Sequence, residues 1–218
     1  LELNNQVALI TGSSSGIGRS IAEGFLKEGA SVILTGTRKT KLKNTSHDFS
    51  KLYDKEKILT HSGNLNNSDI LESLYQFIIN ELEGLDHLVC NIGSGVSVPP
   101  LEENVKEFQR MLDINLLNAV GIVNKFTRIL EKSVAKNNCF PSITFVGSIC
   151  GIEVLGCPIA YASAKSALVT YAKNLSFPLG RKGIRVNVVS PGNIMFPGST
   201  WQKKIEEEPA KVKEILKN

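Results

Sequence analysis

Val7-Ala8-Leu9-Ile10-Thr11-Gly12-Ser13-Ser14-Ser15-Gly16-Ile17-Gly18-Arg19 is the stretch that decides the fold. Four apolar residues run into Thr11 and Gly12, three serines follow, and Gly16 and Gly18 open a segment whose apolar Ile17, Ile21, Phe25 and Leu26 recur at helical spacing. The pattern predicts a strand, a glycine turn and a helix. The first turn of a helix carries N–H groups with no intrahelical acceptor, together with the positive end of the helix dipole, and a diphosphate can use both. Gly12 and Gly16 let the backbone turn and approach such a group with no Cβ between, and Gly18 lets the helix pack close to the strand. Taken alone, the turn reads equally well as a plain strand-to-helix connection.

Working outward, Ser31–Thr35 forms a second apolar run, which completes a β-α-β unit. With a right-handed crossover the two strands are parallel, and a ligand crevice lies at their carboxyl ends. The residues that follow are Gly36-Thr37-Arg38-Lys39-Thr40-Lys41-Leu42-Lys43. Folds that bind NAD place a carboxylate here to hold the ribose hydroxyls; this chain places Arg38 and Lys39, with Arg19 nearby after the glycine turn. Cations at that point suit a 2′-phosphate, so NADP(H) is favoured over NAD(H).

Further along, a third strand is expected at Lys57–His61, then Asn64-Leu65 in a turn, then a helix over 68–83 capped by Ser68. A fourth strand, Leu85–Cys90, leads into Asn91-Ile92-Gly93. From Val105 to about Lys136 the apolar residues are dense enough for one long buried helix that could also form an oligomer contact; Asn115 within it reads first as a satisfied core amide. A fifth strand, Ser142–Val146, ends at Gly147 and Ser148. Tyr161 and Lys165 are four residues apart, so on a helix they share a face. A phenol with an ordinary pKa of about 10 is a poor acid–base near neutrality, and a neighbouring cation favours its anion, which makes Tyr161 a usable proton donor. A sixth strand over 184–189 runs into Ser190-Pro191-Gly192. The tail from Gly198 reads as one or two amphipathic helices, either a mobile substrate lid over 193–218 or a solvated surface.

Composition narrows the class. At 218 residues with 42% hydrophobic content, the chain fits one domain, 1–218. Its formal charge of +4 is mild and scattered, and the Arg38–Lys43 cluster lacks interleaved aromatics, so neither nucleic acid nor a membrane surface is an expected partner. Cys90, Cys139, Cys150 and Cys157 form no CxxC pair and the three histidines stand alone, so no metal site and no disulfide framework are expected; the thiols read as free and buried in a reducing compartment. No apolar run approaches the roughly 20 residues that span a bilayer, so a soluble cytoplasmic protein is expected.

In this order the motifs resemble the short-chain dehydrogenase/reductase family from Gln6 to about Lys213, most nearly its 3-oxoacyl-carrier-protein reductase group. Thr11-Gly12-Ser13-Ser14-Ser15-Gly16-Ile17-Gly18 looks like the family's TGxxxGxG turn, Asn91-Ile92-Gly93 like its NAG motif, and Pro191-Gly192 like its PG loop. Asn115, Ser148, Tyr161 and Lys165 match its catalytic tetrad. The resemblance implies a single-domain α/β fold, a doubly wound parallel Rossmann-like sheet with strand order 3-2-1-4-5-6. It also implies hydride transfer between a nicotinamide and a small carbonyl or alcohol, in a homodimer or homotetramer. Ser148 would hold the substrate oxygen, Tyr161 would protonate it, Lys165 would hold the nicotinamide ribose, and Asn115 would support a proton-relaying water. The cofactor would be held by Thr11, Gly12, Ser14, Ser15, Gly16, Ile17, Gly18 and Arg19 of the turn, by Arg38 and Lys39, and by Asn64 and Leu65. Asn91, Ile92 and Gly93, the Tyr161–Lys165 pair, and Pro191, Gly192 and Ile194 would complete its site.

Several positions depart from the family pattern. Ile92 replaces an alanine and Cys90 a frequent asparagine; Asn64-Leu65 stands where an aspartate usually holds the adenine; and Asn193-Ile194-Met195-Phe196 stands where a threonine usually follows the PG pair, leaving Ser199 and Thr200 as later substitutes. The family's seventh strand does not follow, so the chain is expected to continue past Asn218 or to have its sixth strand covered by a partner. A catalytically silent NADP(H)-binding regulator or scaffold of the same fold is the competing expectation.

Overall fold

Side chains alternate across the strands, and this sets the layers. On β1 (Val7–Ile10) and β2 (Ser31–Gly36), Leu9 and Ile33 join one core while Ala8, Ile10, Val32 and Leu34 join the other, so both strands are buried on both faces. The computed structural model describes residues 2–82, 84–135 and 140–215. Its six strands are all parallel, in the order β3-β2-β1-β4-β5-β6, as expected. The remaining strands are β3 (Ile58–Ser62), β4 (His87–Cys90), β5 (Ser142–Val146) and β6 (Arg185–Val189).

Helices α1 (Gly16–Lys27) and α2 (Lys39–Ser50) cover one face through Ala22, Leu26, Leu42 and Phe49. The other face is covered by α3 (Ser68–Glu81), α5 (Asn118–Val134) and α6 (Ile159–Gly180), with Leu74, Ile78, Phe126 and Leu168 in the core. Because every strand runs the same way, the loops after β1, β2, β4, β5 and β6 open on one edge of the sheet. β6 is the sheet's outer strand: Val186 and Val188 pack inward, while Arg185, Asn187 and Val189 are exposed.

The structure corrects three sequence expectations. The cap of α3 is Asn67, not Ser68: its side-chain oxygen accepts from the N–H groups of Asp69 and Ile70. The long helix over 105–136 is broken into α4 (Val105–Leu112), a π-turn at Asp113–Leu117 and α5. Cys150 and Cys157 are not free thiols but a disulfide, because the chain between them turns back and brings their Cα atoms within 6.2 Å. Spacing alone could not show that turn. Cys90 is free and buried, and Cys139 lies outside the described residues. The tail forms two short helices, α7 (Thr200–Glu207) and α8 (Pro209–Ile215), within the one or two expected, and the Ser199 side chain caps α7 by accepting from the Gln202 N–H.

Candidate active site

The glycine turn is laced to the loop after β4 through the Thr11 and Asn91 side chains. Thr11 is fully buried; its Oγ1 accepts from the N–H groups of Asn91 (2.9 Å) and Ile92 (3.3 Å), and Asn91 Nδ2 donates back to the carbonyls of Thr11 (2.9 Å) and Gly12 (3.2 Å). Gly12 and Gly16 have φ of +67° and +58°, a region that side-chain-bearing residues avoid. A Cβ added at Gly18 would stand 2.6 Å from the Gly12 carbonyl oxygen, so α1 can lie this close to the strand only with glycine there. Ser13, which the sequence did not single out, ties the turn to β2: its hydroxyl donates to Ile10 O and accepts from Thr35 N.

Ser15 caps α1 without a side-chain hydrogen bond, so the N–H groups of the first turn are left for an outside partner. Beside them is a cleft of about 340 Å³ bounded by Gly12, Ser14, Arg38, Asn64, Leu65 and Ile92, among others. Of the three cations read from the sequence, only Arg38 lines it. Arg19 turns away to Asp48 (3.1 Å) and lies over the Phe49 ring, and Lys39 is exposed on α2. The ring of Phe196 is seated on Gly16: a Cβ there would stand 2.6 Å from Phe196 Cζ. Ile194 is exposed.

The π-turn places Asn115. The bulge frees the Met111 carbonyl to accept from Asn115 Nδ2 at 3.1 Å; Nδ2 also donates to Ser94 O, and Oδ1 accepts from Ser94 N, both at 3.0 Å. Asn115 is therefore the satisfied buried amide that the sequence suggested, and it also fixes the loop after β4. A Cβ at Gly93 would stand 2.8 Å from Asn115 Oδ1 and 3.0 Å from Lys165 Nζ, and one at Gly95 would touch the Tyr161 ring at 3.7 Å. Four predicted residues thus meet along this one loop.

Lys165 is 3% exposed, and its Nζ donates to Val146 O at 2.8 Å, two residues before Ser148. Burial pushes its pKa down to about 8. Ser148 is buried at the end of β5, where its Oγ accepts from Cys150 N at 3.2 Å. The turn it opens, Ile149–Gly151, packs on α6 so closely that a Cβ at Gly151 would stand 2.7 Å from the Lys165 carbonyl carbon. Ile149 N also donates to Pro191 O, which joins this turn to the loop after β6. Tyr161, half-buried, lies in the first turn of α6, and the neighbouring Ala160 N–H is accepted by Glu103 at 2.8 Å. Glu103 sits 57 residues away in sequence, with no pattern to mark it. Among the described residues no cluster of His, Cys, Asp and Glu could hold a metal ion.

The sequence profile of the short chain dehydrogenase family matches residues 6–208. This chain belongs to that family. The short-chain dehydrogenase described here is 32% identical over 208 residues to the 3-oxoacyl-[acyl-carrier-protein] reductase FabG of Rickettsia bellii, covering 95% of this chain and 79% of that one. Its fold matches L-sorbose reductase from Gluconobacter frateurii, solved with NADPH and L-sorbose, at a TM-score of 0.86 and 26% identity, over 99% of this chain and 80% of that one. The RhlG/NADP complex of Pseudomonas aeruginosa matches at 0.85 and 26% identity, over 95% and 79%. As a member of this family the protein is an oxidoreductase, and no described helix is long and apolar enough to cross a membrane.

Proposed function

We propose that this short-chain dehydrogenase is an NADPH-dependent reductase of an uncharged ketone with an apolar body. The observation that carries the reading is the meeting of Asn115, Tyr161 and Lys165 on the loop Gly93–Gly95, with the turn opened by Ser148 packed on Lys165, at the edge where the glycine turn opens. The glycine cradle, the uncapped first turn of α1 and the Arg38-lined cleft fit a dinucleotide, and two of the solved relatives were obtained with NADP or NADPH. A reduced nicotinamide bound there supplies the hydride.

The chain's own residues supply the rest. Ser148 Oγ, pointing from the end of β5, donates to the substrate oxygen and fixes it. Tyr161 gives that oxygen its proton. Lys165, with its pKa held near 8, takes up and returns a proton close to neutral pH, and Asn115 keeps the loop that backs both groups in place. The substrate side is apolar: Val96, Leu101, Ile152, Val154 and Met195 are exposed on the three loops after β4, β5 and β6. Those loops, 91–104, 147–158 and 190–199, contain Glu102, Glu103 and Glu153 and no Lys, Arg or His. Such a mouth favours an uncharged carbonyl compound over an anionic one. A homodimer or homotetramer, with the exposed Val105 and Leu117 as candidate contacts, and a cytoplasmic location belong to the same proposal.

The test is a titration with NADPH and NADH, followed by NADPH oxidation with a panel of ketones. Arg38→Ala is expected to weaken NADPH binding about tenfold or more, the scale of one charge-assisted phosphate contact, and to leave NADH unchanged. Equal loss for both dinucleotides would remove the NADP preference, and tight binding without turnover of any ketone would favour the silent scaffold. Phe196→Ala uncovers Gly16 and is expected to raise the association rate of NADPH several-fold, read by stopped-flow fluorescence of Trp201 in α7. An unchanged rate would show that the ring does not cover the diphosphate turn.

A further inference from the structure

The segment joining Ser148 to Tyr161 carries a covalent clip, Cys150–Cys157, that the reductase reading does not use. The two cysteines are only seven positions apart, so the closed ring restrains its own loop and little of the rest of the fold. Both cysteines are partly exposed and the residues between Gly151 and Cys157 are exposed, so a thiol reagent can reach the bond. Each end of the ring leads to a reacting group. Cys150 N–H donates to Ser148 Oγ, and Cys157 precedes Pro158, the cap of the helix that carries Tyr161. Cys90, by contrast, is fully buried and without a partner cysteine.

We propose that Cys150–Cys157 is a reversible thiol–disulfide modification site that sets the order of the substrate loop. In the opening reaction a thiolate of a low-molecular-weight or protein thiol attacks one sulfur of the pair, the S–S bond breaks and a mixed disulfide forms. A second reagent thiolate then attacks the mixed disulfide. The chain keeps two cysteine thiols, one reagent disulfide departs, and two electrons and two protons have passed to the pair. A low-molecular-weight disulfide runs the reaction backwards. In a reducing compartment the pair stands open and closes under oxidative load. Closed, it holds Ile152, Val154 and Leu155 as a fixed wall of the mouth; open, that wall must be ordered by the substrate, which raises KM about three- to tenfold and changes kcat less.

The kinetic consequence rests on the reductase reading; the exchange chemistry and the loop order do not. The full chain is equilibrated with oxidised glutathione or with dithiothreitol, alkylated and mapped by mass spectrometry, and amide hydrogen exchange over 150–157 is measured in both states. Expected are a 150–157 linkage under oxidation, two new alkylated thiols on reduction, and faster exchange in the reduced protein. Cys157→Ser and Cys150→Ser are each expected to match the reduced wild type in exchange and in KM whatever the redox buffer. Absence of the linkage under oxidation, or its opening with no change in exchange, would overturn the proposal, as would equal KM values in the two states of an active enzyme. Altered exchange with no turnover in either state would confirm the modification site and remove the reductase reading instead.

Discussion

Tyr161→Phe is expected to lower kcat/KM for ketone reduction by about 10²–10⁴-fold, the usual contribution of a positioned proton donor. Dinucleotide affinity should fall by no more than about tenfold, the scale of the one hydrogen bond the hydroxyl can make to the cofactor, since the glycine turn and Arg38 are untouched. The reason is local. The Tyr161 ring lies against Gly95, in a loop that Asn115 pins through Ser94, and phenylalanine keeps that packing while removing only the hydroxyl. The fold and the cleft that Arg38 lines should therefore be intact, and the loss should appear in kcat more than in KM. Steady-state rates with NADPH and a ketone, beside a fluorescence titration with NADPH alone, separate the two effects. A variant that keeps more than about a tenth of the wild-type kcat/KM would place the proton donor elsewhere. A variant that loses dinucleotide binding as well would mean that the hydroxyl holds the dinucleotide and is not the proton donor alone.

The parts of this site that were legible from sequence are those fixed by local spacing. Val7–Gly18 announces a strand, a turn with positive φ and a helix because each requirement falls on neighbouring residues, and Tyr161 and Lys165 share a helix face because they are four apart. The strand order followed from the family resemblance together with the right-handed crossover rule. What was not legible depends on chain reversals and distant partners. The π-turn at Asp113–Leu117 leaves the apolar pattern of α4 and α5 unbroken, so the sequence read one helix. Arg19 looked like a phosphate ligand until Asp48, 29 residues on, was seen to hold it, and Lys39 looked equivalent to Arg38 although only Arg38 faces the cleft. Cys150 and Cys157 pair because their loop folds back, a three-dimensional fact that no two-residue motif encodes. Glu103 reaches the first turn of α6 for the same reason.

Lys165→Met is expected to make the protein more stable and inactive at once. The ammonium is buried and donates to Val146 O, and burial lowers its pKa from 10.5 to about 8. A shift of that size means that the native state holds the charge at a disadvantage of roughly 3 kcal/mol relative to the unfolded chain, to order of magnitude. Methionine fills a similar volume with no charge to desolvate, so a gain of about 1–3 kcal/mol is expected after the lost hydrogen bond is set against it. The sign can be followed with pH. Below pH 8 lysine is protonated in both states and the wild type bears the full penalty. Between pH 8 and 10.5 the native lysine has released its proton while the unfolded one keeps it, so wild-type stability from this group rises and the advantage of methionine shrinks. Denaturant unfolding of both proteins at pH 6.5 and pH 10 measures the difference directly, and effects common to both proteins cancel in it. Turnover should fall at least a hundredfold, on the order of a lost acid–base contribution, because among the described residues no other buried Lys or Arg packs on the loop that holds Asn115 and Tyr161. A variant less stable than the wild type at pH 6.5 would mean that the buried ammonium is held by more than Val146. A more stable variant that still turns over would mean that Lys165 is a packing residue, and that the proton reaches Tyr161 by another route.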